Sequence, residues 1–261
     1  MTFLEKVIGI TRKQVSAQKD SDRRIKVLKE AERTRSQAIP HKFRSALQGK
    51  VGNNIIAEIK RSSPSKGVIN KGIDVADIGC KYEKGGAVAI SVLTEETYFS
   101  GSLDDLRTVR RSVGLPLLRK DFLVDEYQIF EAAAAGADCV LLIVAALAEP
   151  ELKSLLSCAR QELGMDALVE VHDERELVIA ENTGADIIGV NNRDLNSLEV
   201  SLETSRRLIR RRPKDVVMVA ESGLSHRDQL DELRELGFHG FLIGETLMRS
   251  EDPSTALRGL V

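Results

Sequence analysis

Five apolar runs in the 261-residue chain end in side chains that move protons or bind anions. The first ends Glu58-Ile59-Lys60, the third Arg119-Lys120-Asp121-Phe122 and the fifth in Glu170. The sixth ends in Asn191 and Arg193, and the seventh in Glu221-Ser222-Gly223. Residues two apart on a strand share a face, so Glu58 and Lys60 point the same way. Two lysines and three carboxylates brought to one mouth perturb one another's protonation, which suits general acid–base work. An ion-pair network serving only stability is the competing account of the same residues.

Phosphate is the second chemistry. Barrel enzymes commonly hold it with the loops after their last two strands and the N-terminus of a short helix. Those loops here read Ser222-Gly223-Leu224-Ser225 and Ile243-Gly244-Glu245-Thr246, each with a glycine that lets backbone N–H groups approach an anion. The Glu245 carboxylate would repel phosphate, so that residue serves through its N–H with the side chain turned away. Ser63, in the loop after run one, adds a hydroxyl. Phe122, Phe99 and Leu142 are the apolar members of the same mouth and give the ligand an aromatic or apolar end opposite its phosphate.

These groups meet only if the runs are the strands of one barrel. The runs are residues 53–60, 87–94, 116–122, 138–145, 166–171, 185–192, 215–222 and 240–245, with starts 19 to 34 residues apart. Near-continuous apolar runs at βα spacing read as strands buried on both faces. Glycines before runs two, four, six and eight (Gly86, Gly136, Gly184, Gly237) repeat one helix-ending device, which hints at a doubled βαβα ancestry. Eight strands, seven intervening helices and a terminal one at 254–260 fit an α/β fold of the (β/α)8 TIM-barrel type. The rival, a doubly wound open sheet, lacks a G-x-G-x-x-G after run one.

Residues 1–48 lie outside the rhythm and read as an N-terminal helical extension on a barrel of 49–261, one domain in all. Thr2-Phe3-Leu4-Glu5 has the form of a capping box, and 21–36 is a charged helix. Arg210-Arg211-Arg212 reads as a solvated helix C-terminus.

Composition narrows the partners. With 38 Lys+Arg against 40 Asp+Glu, the net charge of −2 gives no ground for a nucleic-acid or acidic-membrane partner. No apolar run approaches the roughly 20 residues of a spanning helix, and Glu5 falls where a signal peptide would be apolar. The expectation is a cytoplasmic protein, monomeric or weakly homo-oligomeric. Cys80, Cys139 and Cys158 lack metal or disulfide spacing, and the four histidines form no H-E-x-x-H, so no metal is expected.

The stretch IIAEIKRSSPSKGVI (55–69) closely resembles the signature of the indole-3-glycerol phosphate synthase family. SVLTEETYFSGSLDDL (91–106), LLRKDF (117–122), LVEVH (168–172), IIGVNNRDL (187–195), VAESGL (219–224) and FLIGETLM (241–248) are similar to its further blocks in order. The resemblance spans essentially the whole chain, helical extension included. It implies a lyase that needs no cofactor or metal. Its small-molecule substrate would carry a phosphate and an aromatic carboxylate: 1-(2-carboxyphenylamino)-1-deoxyribulose 5-phosphate, closed to an indole with loss of carbon dioxide and water.

By the same resemblance, Glu58, Lys60, Lys120, Glu170, Asn191 and Ser222 are catalytic. Lys120 resembles the acid that protonates the ribulose carbonyl, and Lys60, bridged to Glu58, the group that holds the substrate and donates a later proton, with the two protonations open to exchange between the two lysines; Glu170 is base or relay. Asn191 and Glu221 orient hydroxyls. Ser222, Gly223 and Gly244 with Ser63 resemble the phosphate clamp, joined by the N–H of Glu245. Arg193 anchors the loop after strand six or meets the substrate's charged end. Phe99, Phe122 and Leu142 wall the aromatic pocket. The alternatives are a sister phosphate-binding barrel such as phosphoribosylanthranilate isomerase, a Schiff-base aldolase, or a non-catalytic barrel that binds a phosphometabolite. The isomerase pattern puts a Cys where run one has Glu58 and Lys60.

Overall fold

In the computed structural model, residues 2–18, 21–49, 52–64, 67–70, 72–195 and 197–261 are described. Eight parallel strands close into a barrel: β1 (Ile55–Ile59), β2 (Ala89–Leu93), β3 (Leu117–Lys120), β4 (Cys139–Ile143), β5 (Asp166–Val171), β6 (Ile187–Asn191), β7 (Val217–Glu221) and β8 (Gly240–Ile243). Closure is the pairing of β1 with β8, in the register Ile55↔Phe241 and Ile56↔Leu242. The expected runs thus form the barrel, all but 166–171 shorter than expected at one end or both. Asp138, ahead of β4, accepts from Leu117 N at 3.0 Å and pairs with Arg110 at 3.0 Å. Asp121 ends β3 early because its Oδ1 accepts the Phe122 N–H at 2.8 Å.

The strands are apolar on both faces because each face meets a core. One set, including Ile56, Leu118, Leu141, Leu168, Val219 and Leu242, fills the barrel. The alternate set, including Ile55, Leu117, Val140, Leu142 and Ile188, packs under the surrounding helices. Leu142 is fully buried on this outer side, so it does not wall the mouth. The expectation had its phase wrong by one residue, and Leu141 and Ile143 face inward instead.

The outer helices are α4 (Val75–Gly85), α5 (Leu103–Ser112), α6 (Glu126–Ala134), α7 (Glu149–Ser157), α8 (Glu174–Asn182), α9 (Glu203–Leu208), α10 (Arg227–Leu236), α11 (Glu245–Met248) and α12 (Pro253–Arg258). Asp74, Ser102, Asp125 and Asp173 cap four of them, their side-chain oxygens accepting first-turn N–H groups. The repeated glycines Gly86, Gly136, Gly184 and Gly237 all have left-handed φ, between 80° and 115°. Arg212 is not simply solvated: its Nη1 donates to Gly237 O at 3.1 Å, tying α10's end to the turn after α9.

Three helices form the extension: α1 (Phe3–Gln18), α2 (Ser21–Ser36) and α3 (Lys42–Gln48). The capping box is present, with Thr2 N donating to Glu5 Oε2 and Glu5 N to Thr2 Oγ1. The helices wrap the barrel from end to end. α1 reaches the mouth with Phe3 and Leu4. α2 packs on α6. α3 plugs the opposite end, its Phe43 and Leu47 joining the barrel-filling core.

Candidate active site

A cavity of about 440 Å³ opens at the carboxyl ends of the strands. Of the fifteen candidate residues, thirteen line it. Glu221 lies fully buried beneath its floor and Leu142 faces the helices. Of the loop after β1, Ser63 and Pro64 reach the cavity, while Ser65 and Lys66 lie outside the described residues.

Lys120 and Glu58 organise the floor. Lys120 Nζ stands 2.9 Å from Glu221 Oε2 and 3.3 Å from Glu58 Oε2. Lys60 Nζ is 2.5 Å from the other Glu58 oxygen, as the shared strand face requires. Burial alone would raise the Glu58 pKa, but the two lysines outweigh it and lower it to about 2. Burial also disfavours the Lys120 ammonium; the charges of Glu221, Glu58 and Glu170 outweigh it, so Lys120 stays protonated well above neutrality. Glu221 goes the other way. Burial, reinforced by Glu170 and Glu58, prevails over Lys120 and raises its pKa to about 7. The floor therefore holds two ammonium groups, at least one firm carboxylate, and one carboxyl that titrates near neutral pH.

Glycine makes this packing possible. A Cβ on Gly244 would run into the Glu58 carboxylate, and one on Gly189 into that of Glu221. Only a residue without one lets β8 and β6 pass these buried charges.

Glu170, at 3% exposure, faces Lys120 from β5. Burial is opposed there by His172, Lys120 and Asn191, and the carboxyl is held below its ordinary value. Asn191 ends β6. Its Oδ1 accepts from Ser222 Oγ at 2.8 Å and from Arg193 N at 3.0 Å. Arg193 Nη1 donates to Leu198 O at 2.9 Å within the loop after β6, and the residue lines the cavity.

The glycine turns sit at one side. Ser222 and Gly223 follow β7 with φ of 67° and 76°, two successive left-handed residues that leave the strand abruptly. For Ser222 that conformation is strained, and its hydroxyl bond to Asn191 helps to hold it. Gly244 to Thr246 line the same side, and the Glu245 carboxylate pairs with Arg249 Nε at 3.2 Å. Across the cavity stand Phe99 and Phe122, ring centroids 6.4 Å apart. Phe3 of α1 completes this wall, edge-on to Tyr98 at 5.0 Å and to Phe122 at 6.5 Å. Phe3, Leu4, Leu141 and Ile143 are lining residues that sequence reasoning missed.

An ionised floor between an aromatic wall and a pair of anion-ready turns, at the carboxyl end of a closed parallel barrel, is the architecture of the acid–base enzymes of the (β/α)8 class. The fold alone is shared with 3-hexulose-6-phosphate synthase from Salmonella typhimurium (TM-score 0.64, 13% identity, covering 79% of this chain and 96% of that one). It is also shared with thiamine phosphate pyrophosphorylase from Pyrococcus furiosus (TM-score 0.60, 19% identity, 84% and 95% covered). Sequence is more particular. The family profile of indole-3-glycerol phosphate synthase matches residues 4–260. The indole-3-glycerol phosphate synthase of Carboxydothermus hydrogenoformans is 45% identical over 265 residues, covering 99% of both chains. That of Desulfosudis oleivorans is 49% identical over 210 residues, covering 80% of both. The chain belongs to the indole-3-glycerol phosphate synthase family, the carboxy-lyases of tryptophan biosynthesis. That membership sets aside the isomerase, aldolase and non-catalytic readings. Among the described residues no helix is long and apolar enough to cross a membrane.

Proposed function

We propose that this cavity closes the indole ring of 1-(2-carboxyphenylamino)-1-deoxyribulose 5-phosphate with the residues named above in distinct roles. The observation that carries this reading is the Lys120 ammonium, clasped by Glu221 and Glu58 on the cavity floor. The aromatic wall takes the carboxyphenyl ring, and the turns at Ser222-Gly223 and Gly244-Glu245, with Ser63, take the phosphate. That placement puts the ribulose carbonyl over the lysines.

Lys120 donates the proton to the carbonyl oxygen as the aryl carbon attacks, and its charge favours the developing alkoxide. Carbon dioxide then leaves, and its bonding electrons restore the ring. Lys60, held by Glu58, donates the proton that turns the hydroxyl into departing water. Glu170 accepts the proton lost from the methylene carbon beside the ring nitrogen, and the electrons of that C–H bond form the double bond that completes the indole. Asn191 and Glu221 orient the floor, the first through Ser222 and Arg193, the second through Lys120. Overall one proton is consumed: substrate carboxylate plus a proton yields carbon dioxide and water.

A monomer or weak homo-oligomer is the proposed working unit, with the extension and barrel as one folding unit; light scattering and a single unfolding transition test these. The cytoplasm is the proposed setting. The reaction itself is tested by adding substrate to the purified chain and following indole fluorescence, against a background free of Trp. Variants Glu170→Gln and Lys120→Met then separate the roles.

A further inference from the structure

Beside the active-site cavity lies a second one of about 670 Å³, lined by His172, Asp173 and Glu176. Leu4, Asn191, Arg193 and Leu195 line both and form the partition. His172 is two residues past Glu170 on the same strand face. It does not touch the first cavity, and Glu170 does not touch the second.

The imidazole is clamped between two carboxylates. Nδ1 lies 2.9 Å from Glu176 Oε2 and Nε2 lies 3.3 Å from Glu170 Oε1. The first contact is a hydrogen bond; the second is too bent for one and acts as an ion pair. Glu176 Oε2 also accepts the His172 backbone N–H at 2.8 Å, so it fixes both ends of the residue. Its own helix start is fixed by Asp173, whose Oδ1 accepts from Glu176 N at 2.9 Å.

We propose that His172, locked in place by Glu176, is a positioning residue that keeps Glu170 ionised and aimed into the reaction cavity. It rests on Glu170 being the proton acceptor, and it says what makes that possible. At 3% exposure and beside the acid Glu221, Glu170 would otherwise hold its proton. Lys120 and Asn191 face it from β3 and β6, but Lys120 is already shared between Glu221 and Glu58. Around His172, Glu5, Asp173, Asp194, Arg193 and Arg207 line the second cavity from α1, the turn before α8, the loop after β6 and α9. Burial works against the imidazolium, and Glu170 and Glu176 together outweigh it, raising its pKa to about 10. The cation therefore persists through the neutral range.

The test compares wild type with H172Q, E176Q and E170Q. In a Glu221→Gln background, free of the limb near pH 7, H172Q should move the remaining acidic limb of kcat/KM up by on the order of one to two pH units, with less loss on the alkaline plateau. A purely structural role would lower activity equally at every pH, and that parallel profile overturns the proposal. Ring NMR of the four histidines gives a readout independent of turnover. His172 should stay charged above pH 8 in the wild type and titrate at lower pH in E176Q. A wild-type midpoint near the ordinary value of about 6.5 overturns the proposal, even if H172Q does not fold. Full kcat in E170Q overturns the reading of Glu170 beneath it. A slow E170Q with an unmoved H172Q limb overturns the role of His172 alone.

Discussion

Lys120 Nζ lies 2.9 Å from Glu221 Oε2, and the Glu221 side chain is wholly buried. A buried carboxyl beside the partly exposed Lys120 ammonium is useful only while it is ionised, and burial here works against that, raising the Glu221 pKa to about 7. A raised carboxyl pKa means the acid form persists below about pH 7 and the anion appears above it. The clasp on Lys120 therefore tightens as pH rises through neutrality.

Wild-type kcat should show an ascending limb near pH 7, and Glu221→Gln should abolish that limb and lower the plateau by roughly 10- to 100-fold. A pH series of kcat from 5.5 to 8.5 checks it. An unchanged limb in the variant would assign the titration to another group.

Gly244→Ala should cut kcat by roughly 100-fold, because the new Cβ must displace the Glu58 carboxylate that holds both lysines. The thermal midpoint should change little by comparison. Wild-type kcat in this variant would show that the position of Glu58 is not critical.

The aromatic wall depends on α1. Phe3→Ala removes two edge contacts that hold the wall and takes one ring from it; with the worth of one aromatic contact, about 0.5–1.5 kcal/mol, lost to substrate binding, KM should rise by roughly 2- to 12-fold with kcat less affected. Steady-state kinetics decide. An unchanged KM would make the extension a purely structural attachment.

Neighbouring leucines on β4 separate core from site. Leu141→Ala and Leu142→Ala should each destabilise by about 2–5 kcal/mol, since both are buried. Only Leu141→Ala should also change KM, as only Leu141 lines the cavity. Denaturant titration with parallel kinetics checks both halves, and a KM change in Leu142→Ala alone would reverse the assignment.

That pair also shows what sequence reading can and cannot resolve. Glu58 and Lys60 carry charges that mark which face of β1 is inward, and the structure places both on the cavity. The run 138–145 is apolar on both faces because both are buried, so alternation there offers no marker to tell Leu142 from Leu141. Eight runs at βα spacing made the barrel legible, since burial on both faces leaves few other folds for such a pattern. The capping box at Thr2 and Glu5 locates the start of α1 but carries nothing about what the helix lies against, so Phe3 stayed hidden. His172 could have been found: Glu170-Val171-His172 has the two-residue spacing of Glu58-Ile59-Lys60, with the polar pair on one face.

The central claim is that the Lys120 ammonium donates the proton that starts ring closure. Lys120→Met keeps the length and apolar stem of the side chain and removes only its charge and proton. With 1-(2-carboxyphenylamino)-1-deoxyribulose 5-phosphate as substrate, indole fluorescence should report kcat reduced by at least about 10²- to 10⁴-fold, with the fold intact by circular dichroism. Turnover at the wild-type rate in a folded Lys120→Met variant would contradict the account.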